Sequence, residues 1–369
     1  MIETDFYTQS SKTETNMTKA NQDLGANSTK AAFWKRNRVA AVAITCASVL
    51  AAGTANASEQ ITLKLAHLFP AKHYLWVQGG EVFAKEVDKA TNGKVKFEVY
   101  PAKQLGKDNL GLMKSGLADL SILIPSYTAD KLPLTSVAEL PGLHSTSCEG
   151  TEKLWSVIKT GQILNELEYK TQNVHVLFVT VLPPYPVMTT SKTADTLEKL
   201  SGMKLRANGA AMDETIRSLG AVPVRIKSPD FYDSLTRGTV DGGVYPYQGL
   251  KAYELEKVLK YSTVGPNLGA GSVVYAMSQK AWDKLSPENQ KIFDQAAQTA
   301  QKSLCQWEDE QNISARDRIV KNNGHTLTKL EPAELERWNE KLRGVAASWA
   351  KGMDSAGKAG TEVLKAITK

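Results

Sequence analysis

From residue 60 onward, short runs of alternating apolar and polar residues are separated by longer segments whose apolar residues recur three or four apart. In 60–68, Ile61, Leu63 and Leu65 stand against Thr62, Lys64 and Ala66, the two-residue period of a strand with one buried face. Residues 67–74 contain a proline and read as a loop. In 76–91, Val77, Val82, Phe83 and Val87 fall at helical spacing among Lys and Glu, and Asn92-Gly93 stops the helix. Strands follow at 94–100 and 119–124, with a short helix at 110–117 between them. Strand, helix, strand, helix, strand is the order of a layered α/β unit on a parallel sheet. Ligands of such sheets sit beyond the carboxyl ends of the strands, which puts His67-Leu68-Phe69 and Pro125-Ser126-Tyr127 at one mouth.

A helix at 151–169 leads into a strongly β-forming strand at 174–181 and then into Pro183-Pro184-Tyr185-Pro186. Beyond it, strands at 187–190, 204–207, 222–226 and 240–244 alternate with helices at 195–200, 212–219, 229–237 and 250–258. The chain therefore builds a second α/β unit and crosses between the two near 181–187. A strand at 272–278 returns to shared structure, and 287–320 reads as one helix long enough to rest on both units as a spine. A further helical stretch occupies 332–353. The expected organisation is a leader over 1–57, a first lobe over 58–181, a second lobe over 182–270, and a shared strand, spine and C-terminal helices over 271–369.

The leader has its own pattern. Its first 34 residues are polar and read as disordered, with Met17 an alternative start. Lys35-Arg36-Asn37-Arg38 then precedes an apolar run at 39–53 and the small-x-small site Ala55-Asn56-Ala57, the layout of a cleaved signal peptide. The run is shorter and richer in Ala than the roughly 20 strongly apolar residues of a membrane span, although an uncleaved anchor stays open. The expected location is the periplasm.

The whole chain has 45 basic and 39 acidic side chains. The leader holds six and four of these, leaving a surplus of four positive charges interleaved with negative ones, without the concentrated basic stripe of a nucleic-acid binder. Cys148 and Cys305 lie beyond the leader. In an oxidising compartment they form one disulfide or remain two buried thiols, and the sequence leaves both readings open.

Catalytic motifs are absent: there is no Gly-x-Ser-x-Gly turn, no His-x-x-x-His helix and no phosphate loop. His67 and His73 share a loop, a spacing that lines a polar pocket more often than it binds metal, and His175 in an apolar strand reads as a core histidine. No metal or cofactor is expected. Aromatic residues gather at the predicted mouth: Phe69, Tyr74, Trp76, Tyr127, Tyr185, Tyr232, Tyr245 and Tyr247, of which Tyr232 reads as core. A tyrosine brings apolar area and a hydroxyl to one place, which suits a small acid with a ring or other apolar body. Arg206 ends the strand at 204–207. A guanidinium is always charged and offers a planar fork that grips a carboxylate by two bonds. Lys204, on the same strand face, is its rival, and the competing reading is a surface strand whose arginine pairs with a nearby Asp or Glu.

Taken in order, Leu65-Ala66-His67 with Pro70, Tyr100-Pro-Ala-Lys-Gln-Leu-Gly106, Ser115-Gly116, Leu140-Pro141, Leu200-Ser-Gly-Met-Lys-Leu-Arg206, Leu219-Gly-Ala-Val-Pro223 and Gly238-Thr-Val-Asp-Gly242 resemble the solute-binding proteins of tripartite ATP-independent periplasmic (TRAP) transporters, dicarboxylate-binding type. The resemblance runs from about Gln60 to the chain end. It implies a two-lobed α/β clamp with a long helix across the back, closing as a monomer on a small carboxylate and delivering it to a two-subunit membrane permease. It places the family's carboxylate-binding arginine at Arg206. Where the family often has an Asn after Val-Asp-Gly this chain has Tyr245, and where many members carry a second Arg in the crossing strand it has Tyr185-Pro186. One cation with several phenols fits a monocarboxylate with a hydroxy, keto or aromatic body better than a simple C4-dicarboxylate. Gln104, Ser126, Asn208 and Gln248 are candidate polar contacts, beside Phe69, His73, Tyr74 and Tyr127 from the first lobe. An exported organic-acid enzyme and a sensor input domain using the same clamp are the alternatives.

Overall fold

The computed structural model describes residues 60–369, so the leader and its export signal lie outside the described residues. The alternation at the start forms β1 (Ile61–Ala66), with Leu63 and Leu65 buried and Thr62 and Lys64 exposed. Parallel partners flank it, β2 (Val95–Tyr100) and β3 (Leu120–Leu123). The connection from β1 to β2 is a wide turn at Leu75–Gly80 running into the helix Glu81–Ala90, which closes where Asn92 and Gly93 adopt left-handed φ of 51° and 77°. The chain then reaches β4 (Val174–Val181) and crosses over to β5 (Val187–Thr189), β6 (Lys204–Ala207), β7 (Val222–Arg225), β8 (Gly242–Val244) and β9 (Tyr261–Val264). It returns as β10 (Ser272–Ser278), and β11 (Thr326–Lys329) follows the long helix.

Two sheets result, ordered β2-β1-β3-β10-β4 and β11-β9-β5-β8-β6-β7. The expected parallel unit is present in β1, β2 and β3, while β10 enters that sheet antiparallel to both β3 and β4. The spine is the helix Pro287–Asn323, 37 residues and about 55 Å at helical rise. Ser286 caps it by accepting from the Asn289 amide at 3.2 Å, and Pro287 occupies the first turn, where its missing N–H is harmless. Its first half packs Phe293 edge-on against Phe83, 5.5 Å between rings, and Phe83 also meets Phe97 and Phe178 at 5.8 and 5.7 Å. Its second half puts Ala315 and Ile319 into the apolar cluster of Tyr247, Leu250 and Leu255 from the other lobe. One helix thus carries core contacts of both sheets.

Several elements depart from their sequence expectations. The helix expected over 151–169 is Ser147–Ile158, capped by Thr146 and ended ahead of Gly161, whose φ is 81°, and a separate turn covers Asn165–Tyr169. Residues 250–258 form short 3-10 turns with Glu254 left-handed at φ 56°. The stretch 332–353 breaks at Arg343 and Gly344 into Pro332–Leu342 and Val345–Ser355. Cys148 and Cys305 form a disulfide, Cα atoms 4.8 Å apart, that ties the start of helix Ser147–Ile158 to the spine. His175 is not a core residue: it is half-buried and stacks on Trp282 at 3.7 Å. Among the described residues no helix is long and apolar enough to cross a membrane, and no cluster of three His, Cys, Asp or Glu could hold a metal ion.

Candidate ligand-binding site

Arg206 lies on β6, between β7 and β8, opposite Val224 on one side and Gly243 on the other. Gly243 is required there: a Cβ at that position would fall 2.8 Å from the Arg206 Cβ and 2.7 Å from the Phe231 ring. The rival Lys204 is exposed, whereas Arg206 is only 2 % exposed. The guanidinium makes four bonds to neutral acceptors. Nε donates to the Ile226 carbonyl at 2.9 Å and Nη1 to the Val244 carbonyl at 3.3 Å, while Nη2 reaches the Tyr127 hydroxyl at 3.3 Å and Ser228 Oγ at 3.4 Å. Its carbon sits 5.2 Å from the Tyr245 ring centre and 5.7 Å from that of Phe231, within cation–π range. Among the described residues no carboxylate lies within ion-pair distance of it, which disposes of the surface-pair reading. A buried cation with only neutral partners is electrostatically incomplete, and an anion is the group that completes it.

The guanidinium faces a cavity of about 40 Å³, a few water-sized positions at roughly 10–15 Å³ each, so its walls stand close around any occupant. Phe69, His73 and Tyr74 come from the loop after β1, Tyr127 from the turn after β3, and Tyr185 from the crossing that follows β4. Asn208 follows β6, Ser228 follows β7, and Tyr245 and Tyr253 follow β8. These are strand carboxyl ends and the segments beyond them, as the topology requires. Both lobes meet at Tyr127, whose hydroxyl accepts from the Ser228 amide at 2.9 Å and shares a hydrogen bond with Ser228 Oγ at 3.0 Å. The histidines add no charge. Burial holds His67 at about 4 and His73 at about 3, so both are neutral, and His73 is stacked between Phe69 and Tyr74 at 4.5 and 4.6 Å. Of the side chains that line the cavity, Arg206 alone carries a full charge.

Eight of the eleven residues singled out in the sequence line this cavity: Arg206, Tyr245, Tyr185, Tyr127, Asn208, Phe69, His73 and Tyr74. Ser126 is buried behind the wall, its Cβ closely approaching Gly209. Gln248 lines an adjoining groove of about 660 Å³ with Trp307 and Arg318 instead. Gln104 is exposed, carried outward by the left-handed backbone of Ala102 and Lys103 just before it, and belongs to no cavity wall. Sequence reasoning missed Ser228, Tyr253 and the buried Glu139 behind Asn208. Ser228 had a signal, its position between the end of β7 and Pro229; Tyr253 was hidden by the helical spacing of 250–258.

A two-lobed α/β clamp whose interlobe cavity presents one buried cation defines a binding protein for small anions. The chain belongs to bacterial extracellular solute-binding protein family 7, whose family model matches residues 65–352. A solute-binding protein of Roseobacter denitrificans is 28% identical over 263 residues, covering 70% of this chain and 78% of its own. Among solved structures, a TRAP solute-binding protein of Rhodoferax ferrireducens with copurified benzoate is 25% identical and superposes with a TM-score of 0.77 over 84% of this chain and 97% of its own. A marine metagenome TRAP solute-binding protein specific for aromatic acid ligands, in complex with metahydroxyphenylacetate, is 23% identical with a TM-score of 0.77, covering 84% of this chain and 98% of its own. The protein is thus a TRAP-type solute-binding protein, which captures a small organic acid for a membrane permease.

Proposed function

We propose that this protein binds an aromatic monocarboxylate, with the carboxylate on Arg206 and the ring among Phe69, His73, Tyr74, Tyr127, Tyr185 and Tyr245. The observation that carries this reading is the buried guanidinium with only neutral partners, facing a narrow cavity walled by aromatic rings. One cation matches one carboxylate. A C4-dicarboxylate would leave its second charge buried without a partner, which costs several kcal/mol. The benzoate of the Rhodoferax ferrireducens protein and the hydroxyphenylacetate of the metagenome protein belong to the same chemical class.

In this reading the lobes comprise 58–181 and 182–270, with 271–369 shared, and the ligand bridges them by contacting Tyr127 from one side and Arg206 and Tyr245 from the other. Differential contact with both lobes is what lets a ligand favour the closed state. The protein acts as a periplasmic monomer after loss of its leader, hands its ligand to a two-subunit permease, and leaves the ligand chemically unchanged. A thermal-shift panel tests the ligand class. Benzoate and 3-hydroxybenzoate are expected to raise Tm, the stabilisation reaching about 2.7 kcal/mol at a hundredfold excess over Kd, with succinate inert. Stabilisation by succinate and none by the aromatic acids would overturn the proposal.

A further inference from the structure

Asn208 stands two residues after Arg206, in the bend just beyond β6, and both line the cavity. Asn208 is only 8 % exposed. The amide nitrogen donates to Glu139 Oε2 at 3.1 Å, and the other carboxylate oxygen, Oε1, accepts from the Ser272 amide at 3.2 Å and from Ser272 Oγ at 2.8 Å. Glu139 closes the turn Leu134–Glu139, Ser272 opens β10, and both are fully buried. The two Ser272 donors and the nearby Arg206 charge favour the ionised form of Glu139, and in that form the three segments fix which end of the Asn208 amide turns away from it. That end is the carbonyl oxygen. Asn208 Oδ1 is buried with no protein donor within hydrogen-bond distance, on a residue that lines the cavity.

An amide oxygen accepts and cannot donate, and an ionised carboxylate likewise only accepts. Asn208 Oδ1 therefore cannot serve the group that Arg206 binds. It requires a donor placed elsewhere on the same molecule. We infer that the ligand is a hydroxylated acid, whose hydroxyl donates to Asn208 Oδ1 while its carboxylate lies on Arg206. This rests on the carboxylate reading of Arg206 and narrows it. Sites built to hydrogen-bond a ligand hydroxyl discriminate against the analogue that lacks it, because the buried polar group is then left unpaired. Asn208 is accordingly the residue that sets specificity within the acid class.

The test is calorimetric titration of two matched pairs, benzoate with 3-hydroxybenzoate and phenylacetate with mandelate, against the wild type and Asn208→Leu. In the wild type at least one hydroxylated member is expected to bind about tenfold more tightly than its parent, about 1.4 kcal/mol. In Asn208→Leu that preference falls to within twofold. Equal affinities within both wild-type pairs would overturn the inference without the variant, so its folding is not required. A preference that survives Asn208→Leu would overturn it as well. Failure of all four acids to bind wild type would instead remove the carboxylate reading on which the inference stands.

Discussion

Tyr127 is the side chain through which the first lobe reaches the anchor of the second. Its hydroxyl serves Ser228 twice and Arg206 once, so Tyr127→Phe removes the polar latch and leaves the ring wall in place. Ligand dissociation is expected to quicken about fivefold, the effect of roughly 1 kcal/mol, with Tm of the free protein changed by less than about 2 °C; stopped-flow displacement reads the rate. An unchanged rate would separate Tyr127 from closure. At this scale much of the site was legible, because Arg206, Asn208 and Tyr245 occupy strand ends, and strand ends of an α/β sheet are where ligands lie. Glu139 and Tyr253 were not legible. Each enters from a turn, and the direction of a turn depends on what packs beneath it, which period and composition do not encode. Gln104 failed for the same reason: a polar residue in a loop near the mouth was turned to solvent by two left-handed residues before it.

Among the elements, the spine combines a structural role with a buried acid. Glu308 sits within it, fully buried, with Oε2 at 3.2 Å from Ser147 Oγ and Oε1 without a partner, and burial pushes its carboxyl well above the usual range. The folded protein therefore keeps a proton that the unfolded chain loses near pH 4.5, so stability is greatest below that value and falls as pH rises toward the folded pKa. Glu139 and Glu168, both raised to about 7 by burial, act in the same direction. Glu308→Gln removes one of these contributions. Its Tm is expected to match the wild type near pH 4.5 and exceed it at pH 8 by on the order of 2–4 °C, about 1 kcal/mol; parallel pH profiles would refute the assignment. The spine itself was evident from its length. The strands β9 and β11 escaped notice because they are short, and β11, reading Thr-Leu-Thr-Lys, is a largely exposed edge strand with no alternating apolar face.

As a whole molecule, the chain places two sheets around one charged point. The spine and two further crossings, between β4 and β5 and between β9 and β10, join the sheets, and the Cys148–Cys305 bridge locks the spine to the first. The two-lobed architecture could be read from the repeat of strand and helix and from the long helix after it. The antiparallel return of β10 could not, since a strand's direction within a sheet is decided by the tertiary path. The guanidinium is the grip for an anion. Calorimetric titration of benzoate and 3-hydroxybenzoate into wild type and Arg206→Lys tests that most directly, because lysine keeps the charge and loses the planar fork. The variant is expected to show at least a tenfold rise in Kd, about 1.4 kcal/mol. Equal affinity in the two proteins would contradict it.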